Sequence, residues 1–212
     1  MPAPEVPVAG LLLAAGGGQR LGGQPKALVA HEGRLLVERG VGLLAAAGLD
    51  PVVVVLGAAA EEVLARAALD GARAVVNRGW AEGIGSSLQV GLAALEQAAN
   101  VEAVVVALVD QPHLRKEAIG RLVAAWRAGA RAAVATFAGQ PRNPVLLDRS
   151  VWNDVRNLAV GDVGARGYLR RHPEVVTGVA CDDVGSPFDV DTDADLARLA
   201  EAESEPEGAS WN

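Results

Sequence analysis

Aromatic side chains are scarce, at 3% of the 212 residues, although half of the chain is apolar. A core must therefore be filled mainly by Ala, Val and Leu, small side chains suited to close packing of helices on a sheet, and the length suits one substantial core. Cysteine is nearly missing. Cys181 alone excludes an internal disulfide and a multi-cysteine metal site, and fits a reducing compartment. Positive charge is not in excess either: at a formal −7 the chain is unsuited to a general grip on nucleic acid, so a phosphate-bearing ligand must meet a few local cations. No apolar run is long enough to span a bilayer. The run Val8 to Ala15 is preceded by Glu5 and by no Lys or Arg, unlike a secretory leader. The expectation is a cytoplasmic protein with neither nucleic acid nor membrane as a partner.

What is present is a set of short, continuous apolar runs, "VAGLLLA", "PVVVVLG", "ARAVVN" and "EAVVVALVD", that read as strands buried on both faces. Segments with helical spacing separate them. Leu36, Val37, Val41 and Leu44 lie on one face and close at Gly48; "AEEVLARAAL" opens with acids, and "SSLQVGLAALEQA" follows. Later "KEAIGRLVAAWRAG" reads as a helix before the strand-like "RAAVATF" and "PVLL". This alternation predicts an α/β fold of three layers, α/β/α, around a mostly parallel sheet, with ligands at the carboxyl ends of the strands where strand order reverses. Residues 8–200 form one expected domain, and the acidic, small residues 201–212 read as a flexible tail.

That geometry directs attention to polar residues just after apolar runs: the loop after Leu13, Asp110 after "VVVALV", and Asp189 with Asp191 in "FDVDTDADL". Gly16, Gly18 and Gly22 form a loose dinucleotide-type glycine pattern. The acidic residue that such a site places after the next strand is missing, since "PVVVVLG" ends in Gly57 and alanines. A P-loop needs Gly-Lys-Ser or Gly-Lys-Thr, whereas Lys26 lies between Pro25 and Ala27. Two readings of the loop remain. It is a solvated turn, or its exposed N–H groups with Arg20 and Lys26 clamp several phosphate oxygens, as a triphosphate offers.

"LAAGGGQRLGGQPKAL" resembles the signature of nucleotidyltransferases akin to the molybdenum-cofactor cytidylyl- and guanylyltransferases. Leu13, Ala14, Ala15, Gly16, Arg20, Leu21, Gly22 and Lys26 occupy its positions, with one extra residue before the lysine. "NRGWAEGIGSSLQVGL" resembles the nucleotide-side segment through Asn77, Trp80, Gly83, Ser87 and Leu88. "LVDQPHL" is similar to the metal-binding stretch, with Val109 in place of the usual glycine. "PRNPVLL" and "GDVGARGYL" are similar to stretches of the cytidylyl branch associated with the pterin half of the site. "FDVDTDADLARL" resembles the closing motif, with Asp193 replacing a proline. The resemblance covers about residues 8–200 and keeps its motifs in order.

It implies a Rossmann-like nucleotidyltransferase with a nucleotide-binding half at about 8–112 and an acceptor-binding half at about 113–200. Nucleotide-binding residues are then Leu13, Ala14, Ala15, Gly16, Gly17, Gly18, Asn77, Gly83 and Ser87; catalytic residues are Arg20, Lys26 and Asp110; acceptor-binding residues are Arg142, Asn143, Asp162 and Arg166. Asp110 and Asp191 offer the acceptor-only oxygens that Mg²⁺ takes while retaining water. The implied reaction joins CTP to molybdopterin and releases pyrophosphate, with a molybdenum hydroxylase or its maturation chaperone as a further partner. The molybdopterin phosphate, with a second pKa near about 6, needs no general base. Ala15 favours the pyrimidine branch; GTP, another phosphate acceptor, and a non-catalytic nucleotide-binding helper are the alternatives.

The remaining polar residues have plainer readings. His31 and His172 are structural, while His113 is either structural or close enough to Asp110 to meet substrate. Asp189 is a second metal contact or a helix cap, and Trp80 is a lid or ordinary packing. Thr192 with Asp195 reads as a capping pair, and Cys181 as a small core residue.

Overall fold

Successive side chains of a strand point to opposite faces, so a run that is apolar at every position must be covered on both sides. The computed structural model, which describes residues 6–98 and 100–204, meets that requirement with a sheet between two helical layers. The chain runs β1 (Val8–Ala14), a small hairpin of β2 (Ala30–His31) and β3 (Arg34–Leu35), α1 (Leu36–Ala46), β4 (Val52–Leu56), α2 (Ala60–Arg66) and β5 (Ala72–Val76). It continues through α3 (Ile84–Glu96), β6 (Ala103–Leu108), α4 (Lys116–Arg127), β7 (Ala132–Phe137), β8 (Gln140–Asp148), α5 (Trp152–Leu158), α6 (Arg166–Arg171), β9 (Val176–Ala180) and α7 (Asp193–Ser204).

The main sheet has the order β5-β4-β1-β6-β8-β7-β9. All of its strands run parallel except β8, which is antiparallel to both β6 and β7. That reversal has a local cause: Ala138 and Gly139 both take positive φ, 48° and 71°, the conformation that closes a two-residue hairpin between β7 and β8. Strand order reverses between β1 and β6, where β1 holds β4 on one side and β6 on the other. A crevice is expected at the carboxyl ends of those two strands.

Alternation along β1 divides the core. Val8, Leu12 and Ala14 join α1, α2 and α4 in one cluster, whereas Ala9, Leu11 and Leu13 join α3, α5 and Tyr168 of α6 in the other. β5 departs from the expected burial on both faces, because it is an edge strand whose residues are half-buried or exposed. Helix α7 runs on to Ser204, so the first four residues of the expected tail, 201–204, are helical, consistent with the high helix propensity of Ala and Glu. The rest of that segment lies outside the described residues.

The first turn of α3 presses on the segment that follows α5. A Cβ on Gly85 would stand 2.5 Å from the carbonyl oxygen of Ala159, a backbone atom that cannot swing aside. The Gln89 amide reinforces the contact, donating to the carbonyls of Arg156 and Ala159 at 3.1 and 2.9 Å. Gly85→Ala is expected to cost about 1–3 kcal/mol through overpacking, measured as a lower urea midpoint with an unchanged m-value.

Candidate active site

The loop after β1 is held by its own backbone. Gly18 accepts from the N–H groups of Leu21 and Gly23 at 2.8 and 3.1 Å, and takes φ +63°. A Cβ there would lie 1.7 Å from the carbonyl oxygen of Gln24, so only glycine fits. Leu21 pins the far side of the loop by packing with Val190 and Leu199. A short helical turn, Lys26–Leu28, then buries Ala27 and Leu28 and leaves Lys26 directed at the end of β6.

There Lys26 lies between two carboxylates. Its Nζ donates to Asp110 Oδ2 at 2.6 Å and to Asp191 Oδ1. Arg20 Nη1 lies 3.5 Å from Asp191 Oδ2, with 74% of the Arg20 side chain exposed. Burial works to lower the Lys26 pKa, but Asp110 and Asp191 outweigh it and hold the ammonium above its ordinary value. Lys26 is therefore a fixed positive charge at neutral pH and cannot serve as a general base. The two cations and two carboxylates balance formally.

Asp191 is delivered by the segment after β9. Val190 N–H donates to the Asp110 carbonyl at 2.9 Å, and the Asp195 carboxylate accepts from the N–H groups of Asp191 and Thr192 and from the Thr192 hydroxyl. Asp195 N–H donates back to Thr192 Oγ1, which makes the expected capping pair. Asp189 lies beside this group without capping α7. Gln111 Nε2 donates to its Oδ1 at 3.0 Å, and burial together with the charge of Asp110 pushes its pKa above the ordinary carboxylate value.

Arg20, Lys26, Asp110 and Asp191 line a cleft of about 450 Å³ with Leu13, Ala15, Gly16, Gly17, Gly18, Gly83, Ser87 and Asp162. Trp80 forms part of its wall, and a Cβ on Gly17 would meet the indole at 3.3 Å. Ala14 is placed elsewhere, because strand alternation turns it into the opposite core. Asn77 is buried but spent internally: its amide donates to Ser86 and Ser87, and its oxygen accepts from Gly79 N–H. It fixes the turn that presents Ser87 and does not line the cleft.

Asn143 and Arg166 line a smaller hollow of about 70 Å³ that shares Leu13, Ile84 and Leu108 with the main cleft. Arg166 also donates to the Asp162 carbonyl at 3.2 Å. Arg142 lies exposed on β8, opposite Ala135, and lines neither hollow. His113 packs against His31 and Phe188, with ring centroids 6.1 and 5.4 Å away, and not against Asp110. Gln111, which no sequence motif singles out, directly follows Asp110 in a polar turn.

A cation fits the acidic pair by one structural criterion. Asp110 Oδ1 is buried and has no hydrogen-bond partner, an orphaned charged oxygen of the kind that metals satisfy. No trio of His, Cys, Asp or Glu among the described residues is placed to enclose a metal. An ion here would draw on two carboxylates and complete its shell with phosphate or water.

The match to known proteins agrees with this geometry. Residues 10–175 match the family described as the MobA-like NTP transferase domain. The chain belongs to this family. This MobA-like chain is 41% identical over 199 residues to nicotine blue oxidoreductase of Paenarthrobacter nicotinovorans, covering 91% of the chain and 96% of the relative. It is 33% identical to the Rv0371c homologue of Mycobacterium sp. strain JC1, with a TM-score of 0.80 and coverage of 92% and 96%. Rv0371c of Mycobacterium tuberculosis, solved in complex with manganese, is 30% identical with a TM-score of 0.77, over 92% of this chain and 99% of that one.

Removing the Lys26 charge leaves Asp110 and Asp191 facing each other. Lys26→Met should lower stability by roughly 2 kcal/mol, less than the ~3–5 kcal/mol of a fully buried pair, because 35% of the Asp191 side chain is exposed. In thermal melts Mg²⁺ or Mn²⁺ should raise the variant's melting temperature more than the wild type's. Equal shifts in both would show that the carboxylates do not hold the ion.

Proposed function

We propose that this nucleotidyltransferase transfers CMP from CTP to the terminal phosphate of molybdopterin or its molybdenum-loaded form, releasing pyrophosphate. One observation carries the reading: the glycine loop, Arg20, Lys26, Asp110 and Asp191, scattered along the chain, converge on a single cleft at the strand-order reversal. The nucleotide lies along Gly16–Gly18 with its triphosphate toward Arg20 and Lys26. Arg20, largely exposed, is free to follow the departing pyrophosphate, and Lys26 supplies permanent positive charge where negative charge accumulates. Asp110 and Asp191 would hold Mg²⁺, which when bound neutralises triphosphate charge. The 30% identical Rv0371c, solved in complex with manganese, supports the use of a divalent ion.

The acceptor approaches from the side of Asp162, Asn143 and Arg166, where the small hollow opens beside the cleft. An ionised phosphate acceptor requires no proton abstraction, in keeping with His113 turned toward His31 and Phe188. Ala15 supports CTP over GTP because its methyl group closes space in the cleft wall. The finished dinucleotide cofactor would pass to a molybdenum hydroxylase or its chaperone.

A second reading is favoured by the 41% identical relative, whose name describes an oxidoreductase acting on nicotine blue. Against it stands the end of β4, where Gly57 and Ala58 follow and no acid is present to hold a nicotinamide ribose.

Pyrophosphate release with each of the four NTPs, with and without molybdopterin, separates the readings. Turnover is expected with CTP and molybdopterin together. Turnover with only UTP and a sugar phosphate, or nicotine-blue-dependent oxidation of NADH without pyrophosphate release, would overturn the proposal. In the same assay Lys26→Ala is expected to lose about a hundredfold or more, as removal of one transition-state charge contact does.

A further inference from the structure

The other face of β1 and β6 carries a second cleft, which the nucleotidyl-transfer reading leaves without a role. About 350 Å³ in volume, it lies between α1 and the connection from β6 to α4, over Leu12 and Ala107, and shares Leu108 and Val109 with the main cleft. Arg34, Arg39 and Gln111 supply its polar lining. Gly40 and Gly42 of α1 also line it, and a Cβ on Gly40 would stand 2.8 Å from the Leu12 side chain.

Three buried side-chain polar atoms lack a hydrogen-bond partner among the described residues: Asp110 Oδ1 of the main cleft, Arg39 Nε and Gln111 Oε1. Two of the three thus belong to residues of this second cleft. Arg39 uses Nη1 on Glu32 at 2.6 Å, which leaves its Nε–H unused. Gln111 is 8% exposed and commits Nε2 to Asp189, so its carbonyl end is an acceptor awaiting a donor. Arg34 is exposed and has no ion-pair partner among the described residues. Native interiors rarely leave such groups unmatched, and an unsatisfied charged group is the costliest kind.

We propose that this cleft is a binding site for a small organic anion that carries a hydroxyl group, a hydroxycarboxylate or a phosphate monoester. The anion pairs with Arg34 and the Nε–H of Arg39, and the hydroxyl donates to Gln111 Oε1. Two guanidinium groups suit carboxylate and phosphate oxygens alike. Gln111 joins this site to the acidic cluster of the main cleft, because its other end holds Asp189.

Isothermal titration calorimetry of the full chain with glycolate and with sn-glycerol 3-phosphate tests the assignment and distinguishes carboxylate from phosphate. Saturable binding of at least one probe is expected, with acetate, which lacks the hydroxyl, binding several-fold more weakly than glycolate. Arg34→Ala should weaken the bound probe by about tenfold or more. Gly42→Phe should abolish binding by filling the cleft. Its Cβ would meet nothing closer than the Arg34 guanidinium at 3.7 Å, so the fold is expected to survive, as circular dichroism would verify. No saturable heat for either probe at up to roughly 10 mM, or binding that persists in folded Gly42→Phe, would overturn the proposal.

Discussion

One ammonium group organises the active end of this molecule. Lys26 pairs with Asp110, 84 residues on, and with Asp191, 165 residues on. The two carboxylates could not sit so close without a cation between them, since like charges in a partly dry cleft repel strongly. The elements that bring them there are correspondingly well anchored: β1 and β6 pair in parallel register, Val190 bonds to the Asp110 carbonyl, and the capping pair at the start of α7 fixes the backbone at Asp191. The same charge that stabilises the site is the charge that a triphosphate needs.

Small residues govern how tightly these elements approach. At Gly18 the loop folds back onto the Gln24 carbonyl, and at Gly85 the first turn of α3 meets the backbone of Ala159. The chain with few aromatics is built for such contacts: short side chains let main chain meet main chain, and polar atoms find partners over short distances. Asn77 shows the principle. Its buried amide, rather than touching ligand, ties Ser86, Ser87 and Gly79 into the turn that opens α3.

The family supplies a nucleotidyltransferase frame, and its members carry names as different as nicotine blue oxidoreductase and the manganese-bound Rv0371c. A shared frame with divergent names is expected when function resides in the residues lining a cleft and not in the sheet that carries them. In this chain the main cleft is lined chiefly by the loop after β1 and the start of α3, while the small hollow beside it draws on the segment 163–166 and on β8.

The periodicity of apolar residues by itself determined the layered fold, because runs such as "PVVVVLG" are stable only as strands covered on both faces and the intervening helices close at caps and glycines. The glycine loop and the polar residues after apolar runs made Arg20, Lys26, Asp110 and Asp191 legible without coordinates, although only Asp110 follows a strand directly and Asp191 lies in the loop between β9 and α7. The hairpin of β2 and β3, the strand β9 and the helices α5 and α6 were not legible as elements, being short, or half-exposed and lacking a continuous apolar run. Only the tertiary structure decided that Lys26 rests on the two carboxylates, that Asn77 and Gln111 hold neighbours in place, that Ala14 faces away and that Arg142 stays at the surface. These are matters of which side chains meet across long sequence separations, and no local pattern records such meetings, whereas burial on a strand face is written into every second residue.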